Sequence, residues 1–177
     1  METCEINMDD KIEGYRCFVG NSKIVYLKAT MATYLELGRR LHAVYGCSVI
    51  FVLRFGPTDT DKRIIEDFIA RNKIVAAELF YVSHAKGCFD GLELASGGAP
   101  FKKMVLLNMP IIDVFDVTVG RLKVIPNTRV VAIFAEKERS FEGVLLLKDK
   151  GLPNVEILMS KDVYHSCKIV IDAFKEL

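Results

Sequence analysis

The sequence of 177 residues contains no glycine-rich phosphate-binding motif. Neither G-x-G-x-x-G nor G-x-x-x-x-G-K-[ST] follows any of its apolar runs, although such loops need glycine so that backbone N–H groups can approach phosphate oxygens. The run SVIFVLR ends in Arg54, where a dinucleotide-binding strand would carry an acidic residue. The dinucleotide, P-loop and methyl-donor classes therefore lose most of their support, and the cofactor stays unknown.

Metal-binding and disulfide patterns are also missing. The five cysteines are odd in number and widely spaced, and no C-x-x-C pair occurs among them. This spacing argues against a zinc knuckle and against a disulfide framework, and we predict no metal site. Reduced thiols are typical of an intracellular compartment, so we expect an intracellular, cytoplasmic protein.

The sequence has no long hydrophobic run and little excess charge. No apolar stretch approaches the about 18 to 20 residues that a membrane span requires. The N-terminal segment METCEINMDD is acidic where a secretory signal would be basic. The formal net charge is +1, and the basic pairs at 39–40 and 102–103 are only small spots. The sequence therefore predicts no membrane segment and does not indicate nucleic acid as a partner.

What the sequence does contain is a regular series of apolar, β-branched runs. Their spacing leaves room for one crossover between consecutive strands, as a parallel sheet covered on both faces requires. We predict a three-layer, Rossmann-like, doubly wound α/β domain over residues 23–177, with a mostly parallel sheet of five or six strands. The sequence does not determine the strand order, and the order 3-2-1-4-5-6 is taken as an assumption. The six predicted strands are 23–29, 48–54, 78–83, 103–109, 129–135 and 155–159.

Two segments interrupt this pattern. Residues 1–22 are acidic and irregular, which predicts an N-terminal arm or a short added strand near 15–19. Residues 84–102 contain four glycines and show no helical stripe, so we expect a mobile loop there instead of the third helix.

Polar side chains at the carboxyl ends of the predicted strands form the candidate ligand-binding site. Ligands of open parallel sheets bind at this edge, near the point where the strand order reverses. The assumed order places the crevice between 28–30 and 108–113. Lys28 and Arg54 would then offer two cations to a phosphate or carboxylate of an anionic small molecule. The candidate ligand-binding residues are Lys28, Thr30, Arg54, Ser83, Asn108 and Glu136.

His84 is the best candidate for acid–base catalysis, because histidine ordinarily changes charge near neutral pH. A lone histidine at the start of a loop is also explained as a polar surface residue. Cys88 follows four residues later, which suggests a nucleophile and its base, but a glycine-bearing loop gives that pair no fixed geometry.

Three functional hypotheses follow, and whether the chain is an enzyme stays open among them. The first is a non-catalytic Rossmann-like binding or assembly module that acts through protein–protein contacts, with a protein partner or a second copy of itself. The second is a small enzyme, or a protein that binds a nucleotide or another anionic ligand at the carboxyl edge. The third and weakest is nucleic-acid binding through basic patches assembled by the fold.

Overall fold

The computed structural model describes residues 1–8, 11–29, 33–53, 58–111, 114–136 and 141–175. Its apolar runs form strands at the predicted places, because each run buries side chains on both faces of one central sheet. The strands of the described residues are β1 (Glu2–Met8), β2 (Lys11–Phe18), β3 (Asn21–Lys28), β4 (Cys47–Val52), β5 (Glu78–His84), β6 (Phe101–Leu107), β7 (Arg129–Ala135) and β8 (Val155–Ser160).

The strands form one sheet in the order β1-β2-β4-β3-β5-β6-β7-β8. β1 and β2 pair antiparallel, β2 pairs antiparallel with β4, and the remaining pairs are parallel. The α/β class and the mostly parallel sheet are confirmed. The prediction of five or six strands is too low, because a hairpin adds two strands to the six parallel ones. The assumed order 3-2-1-4-5-6 does not apply, because the six parallel strands follow the order 2-1-3-4-5-6.

Six helices within the described ranges cover the two faces of this sheet. The first and last pack on one face, where they bury Leu37, Leu41 and Val170 against β3, β4 and β7. The other four contribute to the core on the opposite face. The helices are α1 (Thr33–Tyr45), α2 (Thr58–Arg71), α3 (Gly87–Ser96), α4 (Phe115–Lys123), α5 (Phe141–Asp149) and α6 (Val163–Ala173). None of them is long and apolar enough to cross a membrane, within the part of the chain that the structure describes.

The N-terminal segment forms a β-hairpin where the sequence predicted an arm over residues 1–22. Tyr15 and Cys17 are almost fully buried, so β2 contributes side chains to the core. The Tyr15 hydroxyl donates to Asp67 Oδ2 at 2.8 Å, and Arg71 Nη2 donates to the Glu5 carbonyl oxygen at 2.7 Å. The hairpin is therefore held against α2 by hydrogen bonds as well as by apolar contacts.

The glycine-bearing segment 84–102 also differs from the prediction, which was a mobile loop without the third helix. Its residues Gly87–Ser96 form α3, which buries Cys88 and Leu92. The glycines in this segment argued against a helix in the sequence. Gly91 is nevertheless required by packing, because a Cβ atom there would lie 2.1 Å from Cε1 of Tyr81. Only glycine lets α3 approach the Tyr81 ring this closely.

Candidate functional site at the switch point of the sheet

The strand order reverses beside β3. The chain crosses from β3 to β4 on one side and then returns to β5 on the other side of β3. Ligands of open α/β sheets bind in the crevice outside such a switch point. The switch point therefore lies between the ends of β3 and β5, where the backbone of Lys28 is in register with that of Ser83, and not between 28–30 and 108–113 as the assumed order required.

The most constrained backbone at this point is the turn at Ala85, which joins β5 to α3. Ala85 has φ 52°, in the left-handed region that non-glycine residues rarely adopt. Its N–H donates to the Leu107 carbonyl oxygen at 2.9 Å, and its own carbonyl oxygen accepts from Cys88 N–H at 3.0 Å. Two backbone hydrogen bonds therefore hold a sharp strand–turn–helix whose apex is a strained alanine.

His84 lies immediately before this apex and is half-buried. Its ring packs on the Tyr34 ring with centroids 5.1 Å apart and planes tilted by 31°. Tyr34 belongs to α1, so His84 faces the α1 side of the sheet at the switch point. The predicted acid–base candidate thus has a defined orientation and partial access to solvent.

The opposite face of the same two strands ends in a buried ionic cluster, defined here as Lys28, Asp61 and Asp90. The Lys28 ammonium lies 2.6 Å from Asp61 Oδ2 and 2.7 Å from Asp90 Oδ2. The side chains of Lys28 and Asp61 are 1% and 2% exposed, whereas that of Asp90 is 22% exposed. One cation therefore holds β3, α2 and α3 together through two carboxylates.

Two stacked tyrosines complete the surroundings of the ionic cluster. The Tyr26 hydroxyl donates to Asp61 Oδ1 at 2.6 Å, and the rings of Tyr26 and Tyr81 stack with centroids 5.9 Å apart. Burial raises the pKa of the Asp61 carboxyl, and the nearby Lys28 only partly offsets this effect. Folding therefore favours the protonated form of the Asp61 carboxyl.

The structure brings together only some of the predicted ligand-binding residues. Lys28 and Ser83 meet at the switch point but are fully buried, and Lys28 is already paired with carboxylates. Thr30 and Arg54 lie outside the described residues. The contact of these residues with an anionic ligand stays a prediction.

Asn108 and Glu136 lie two and three strands away from β3, after β6 and β7. The Asn108 side chain accepts a hydrogen bond from Ala135 N–H at 2.7 Å, and its backbone has φ 48°. Asn108 therefore ties the ends of β6 and β7 together. Glu136 is exposed, and its N–H donates to the Ser160 carbonyl oxygen at 2.9 Å.

Cys88 is unsuited to the role of nucleophile. It is fully buried at the start of α3, and its thiol donates to the Leu107 carbonyl oxygen at 3.5 Å. Burial raises the pKa of the Cys88 thiol to about 12. A thiol that remains protonated and has no access to solvent cannot attack a substrate.

Similarity to solved structures is strong in fold and weak in sequence. A cold-adapted esterase from an Arctic intertidal metagenomic library superimposes with a TM-score of 0.74 at 13% identity, over 98% of this chain and 92% of that one. The thioesterase domain of the curacin biosynthetic pathway gives 0.70 at 10% identity, covering 98% and 97%. A 1H-3-hydroxy-4-oxoquinoline 2,4-dioxygenase gives 0.67 at 10% identity, covering 99% of both chains.

No protein-family model matches the chain, and no curated protein matches its sequence. The structural likeness shows the fold, which is that of the α/β hydrolases. The prediction of a non-catalytic Rossmann-like module acting through protein–protein contacts is wrong, because the structures that share this fold are esterases, a thioesterase domain and a dioxygenase.

The strand–turn–helix at Ala85 has the same form of backbone as a nucleophile elbow. In hydrolases with the G-x-S-x-G motif, the serine stands on a strained turn between a strand and a helix. Residues 83–87 read S-H-A-K-G, with alanine at the central position. The strained turn at Ala85 therefore carries no side-chain nucleophile, and residues 83–87 do not match G-x-S-x-G.

Proposed function

We propose that this chain is an enzyme that hydrolyses small carboxylic esters at the Ala85 turn, with water as the nucleophile and His84 as the general base. The observation that carries the proposal is the pairing of an elbow-type backbone at the switch point with a half-buried histidine beside it. The esterases and the thioesterase among the structural neighbours supply the reaction class.

The reaction at this site is direct hydrolysis. His84 accepts a proton from water as the water oxygen bonds to the ester carbonyl carbon. The developing oxyanion accepts a hydrogen bond from the backbone N–H of Lys86, which caps the amino end of α3. The carbon–oxygen bond to the leaving alcohol then breaks, and the imidazolium returns its proton to the alkoxide, so that acid and alcohol are released.

Because alanine stands at the apex of the turn, the proposed hydrolysis proceeds without covalent acyl transfer to the protein. Ala85 has no atom that can attack, and the buried thiol of Cys88 has its pKa raised to about 12. The Ser83 hydroxyl points to the opposite face from His84 and is fully buried. General-base catalysis of water attack, which contributes about 10²- to 10⁴-fold, is therefore the chemistry that the described side chains support.

The test is ester turnover in matched histidine variants. Wild-type protein should hydrolyse short-chain 4-nitrophenyl esters above the buffer rate, and His84→Gln should lower kcat/KM by at least about a hundredfold because it removes the base. His42→Gln is the control, since His42 is also half-buried and stacked on an aromatic ring, Phe18, but lies in α1 with its Nδ1 2.8 Å from the Cys47 carbonyl oxygen. Equal activity in wild type and His84→Gln, with both variants folded, would overturn the proposal.

A further inference from the structure

A cluster of metal-binding side chains lies at the open end of the N-terminal hairpin, far from the Ala85 turn. Glu2 is directly opposite Cys17 in the β1–β2 ladder, and Cys4 is opposite Tyr15. Because side chains alternate along a strand, Glu2, Cys4 and Cys17 project from the same face of the hairpin. Their carboxylate and sulfur atoms all lie within 4.8 Å of one another.

The separation of the two sulfur atoms fits a shared metal ion. Cys4 Sγ and Cys17 Sγ are 3.7 Å apart. Two thiolates bound to zinc at about 2.3 Å in tetrahedral geometry are separated by about 3.8 Å. A disulfide would require the sulfur atoms to move to about 2.05 Å from each other. The hairpin therefore holds the two sulfurs at the spacing of metal ligands.

We propose that Glu2, Cys4 and Cys17 form a binding site for a thiophilic divalent cation such as Zn²⁺. Two sulfur ligands and one carboxylate make three protein ligands, and the exposed position of Glu2 leaves the fourth coordination position open to water. Cys17 belongs to the apolar core and Cys4 packs against it, so the site has an apolar floor, and the exposed Glu2 leaves a carboxylate at its rim. The strands β4 and β3 separate this site from β5, so it is independent of the proposed esterase chemistry.

Cation binding at this site must release protons. Cysteine binds a metal ion as the thiolate, so a thiol gives up its proton when it becomes a ligand. Each cation that binds both sulfurs as thiolates displaces one proton from each thiol that was protonated, and the Glu2 carboxylate completes the ligand set. Affinity should therefore rise with pH.

The test is a titration of the reduced, chelator-treated full chain with Cd²⁺, whose bonds to thiolates produce an ultraviolet charge-transfer band. We expect one Cd²⁺ per chain, a band with the intensity of two thiolate ligands, displacement by Zn²⁺, and proton release in a weakly buffered solution. A higher melting temperature in Zn²⁺ should accompany binding, because a ligand of the folded state stabilises it.

Variants distinguish this site from the other thiols. Cys4→Ser and Cys17→Ala should each lose the two-thiolate band, and Glu2→Gln should weaken binding while keeping the band. Cys167→Ser is the control, because Cys167 is also half-buried but lies on α6. A full band in Cys4→Ser, loss of the band in Cys167→Ser, or no band at saturating Cd²⁺ would overturn the proposal. So would rapid air oxidation of Cys4 and Cys17 to a disulfide that Zn²⁺ does not slow. Cys4→Ser is the decisive variant if Cys17→Ala fails to fold.

Discussion

The two faces of strands β3 and β5 differ sharply at the switch point. On the face beneath α1 and α6 the strands bury Val25, Leu27 and Val82, and β5 ends there in the half-buried His84. On the opposite face, Lys28 joins Asp61 and Asp90 in the ionic cluster, which α2 and α3 cover. The charges of the ionic cluster satisfy each other inside the protein and hold the elements together, whereas His84 is a half-buried base on the apolar face.

This difference assigns a supporting role to the ionic cluster. Asp90 lies in α3, three residues after the first residue of that helix, and Asp61 lies in the first turn of α2. Their pairing with Lys28 holds both helices against the end of β3. Because the Ala85 turn leads directly into α3, this pairing also holds the turn in position. The cluster is expected to control stability, and His84 is expected to control activity.

Removal of the cation should have the largest effect on this arrangement. Lys28→Met leaves two carboxylates facing each other without a counter-charge, and breaking a buried pair in this way costs about 3–5 kcal/mol of unfolding free energy. Urea denaturation measures the loss. The control is Lys102→Met, whose ammonium pairs with Glu78 at 2.8 Å but is 61% exposed, so its effect should be far smaller. Similar losses in both variants would contradict a special role for the buried cluster.

A second substitution tests the close approach of α3 to β5. Gly91→Ala should destabilise by about 1–3 kcal/mol or more, because its Cβ would overlap the Tyr81 ring and force α3 away. Gly120→Ala in α4 is the matched control, since a Cβ there meets nothing within 4 Å and alanine favours a helix by about 1 kcal/mol. Thermal denaturation of both variants should therefore give shifts of opposite sign, and a neutral Gly91→Ala would refute the packing account.

These two substitutions also show what the sequence could and could not predict. The parallel strands could be predicted because each is a short apolar run. The helix α3 was hidden because Gly91 is required by the ring of Tyr81, a contact that no local pattern encodes. The strand order was also inaccessible, because every crossover has room to turn either way.

The candidate site was predicted only in part for a similar reason. His84 and Lys28 were selected as strand-end polar residues, and both lie at the switch point. The partners of Lys28 were missed, because Asp61 and Asp90 reach it from two helices distant in sequence. The strained turn was missed because Ala85 stands where a G-x-S-x-G motif would have serine, although small residues at 83, 85 and 87 after a buried strand were a usable signal.

The pH dependence of stability tests the cluster more finely. The pKa of Asp61 is raised above 3.8 in the folded chain by burial, so folding favours its protonated form. The contribution of Asp61 to the free energy of unfolding is fully present below pH 3.8. It is lost as the pH rises through the raised pKa, by at most about 1.4 kcal/mol per pH unit. Asp61→Asn does not titrate, so its stability relative to wild type should improve across that window. Parallel stability curves for the two proteins would rule out the raised pKa.

The smallest expected effect is at the apex of the turn. A left-handed backbone costs a non-glycine residue about 1–2 kcal/mol, and glycine adds about 0.5–1 kcal/mol of chain entropy. Ala85→Gly should therefore leave the unfolding free energy unchanged or raise it by up to about 1 kcal/mol. Ala43→Gly, at an exposed position within α1, should instead lower it by about 1 kcal/mol. A clear loss in Ala85→Gly would show that the turn is not strained.

Intact-mass spectrometry of the protein, quenched during steady-state ester turnover, tests the central claim most directly. Water attack at the Ala85 turn leaves no covalent bond between substrate and protein, so the account predicts turnover with an unmodified mass and no initial burst of alcohol. An acyl adduct that forms and decays at the turnover rate would contradict the account, because it would require a nucleophilic side chain in place of water activated by His84.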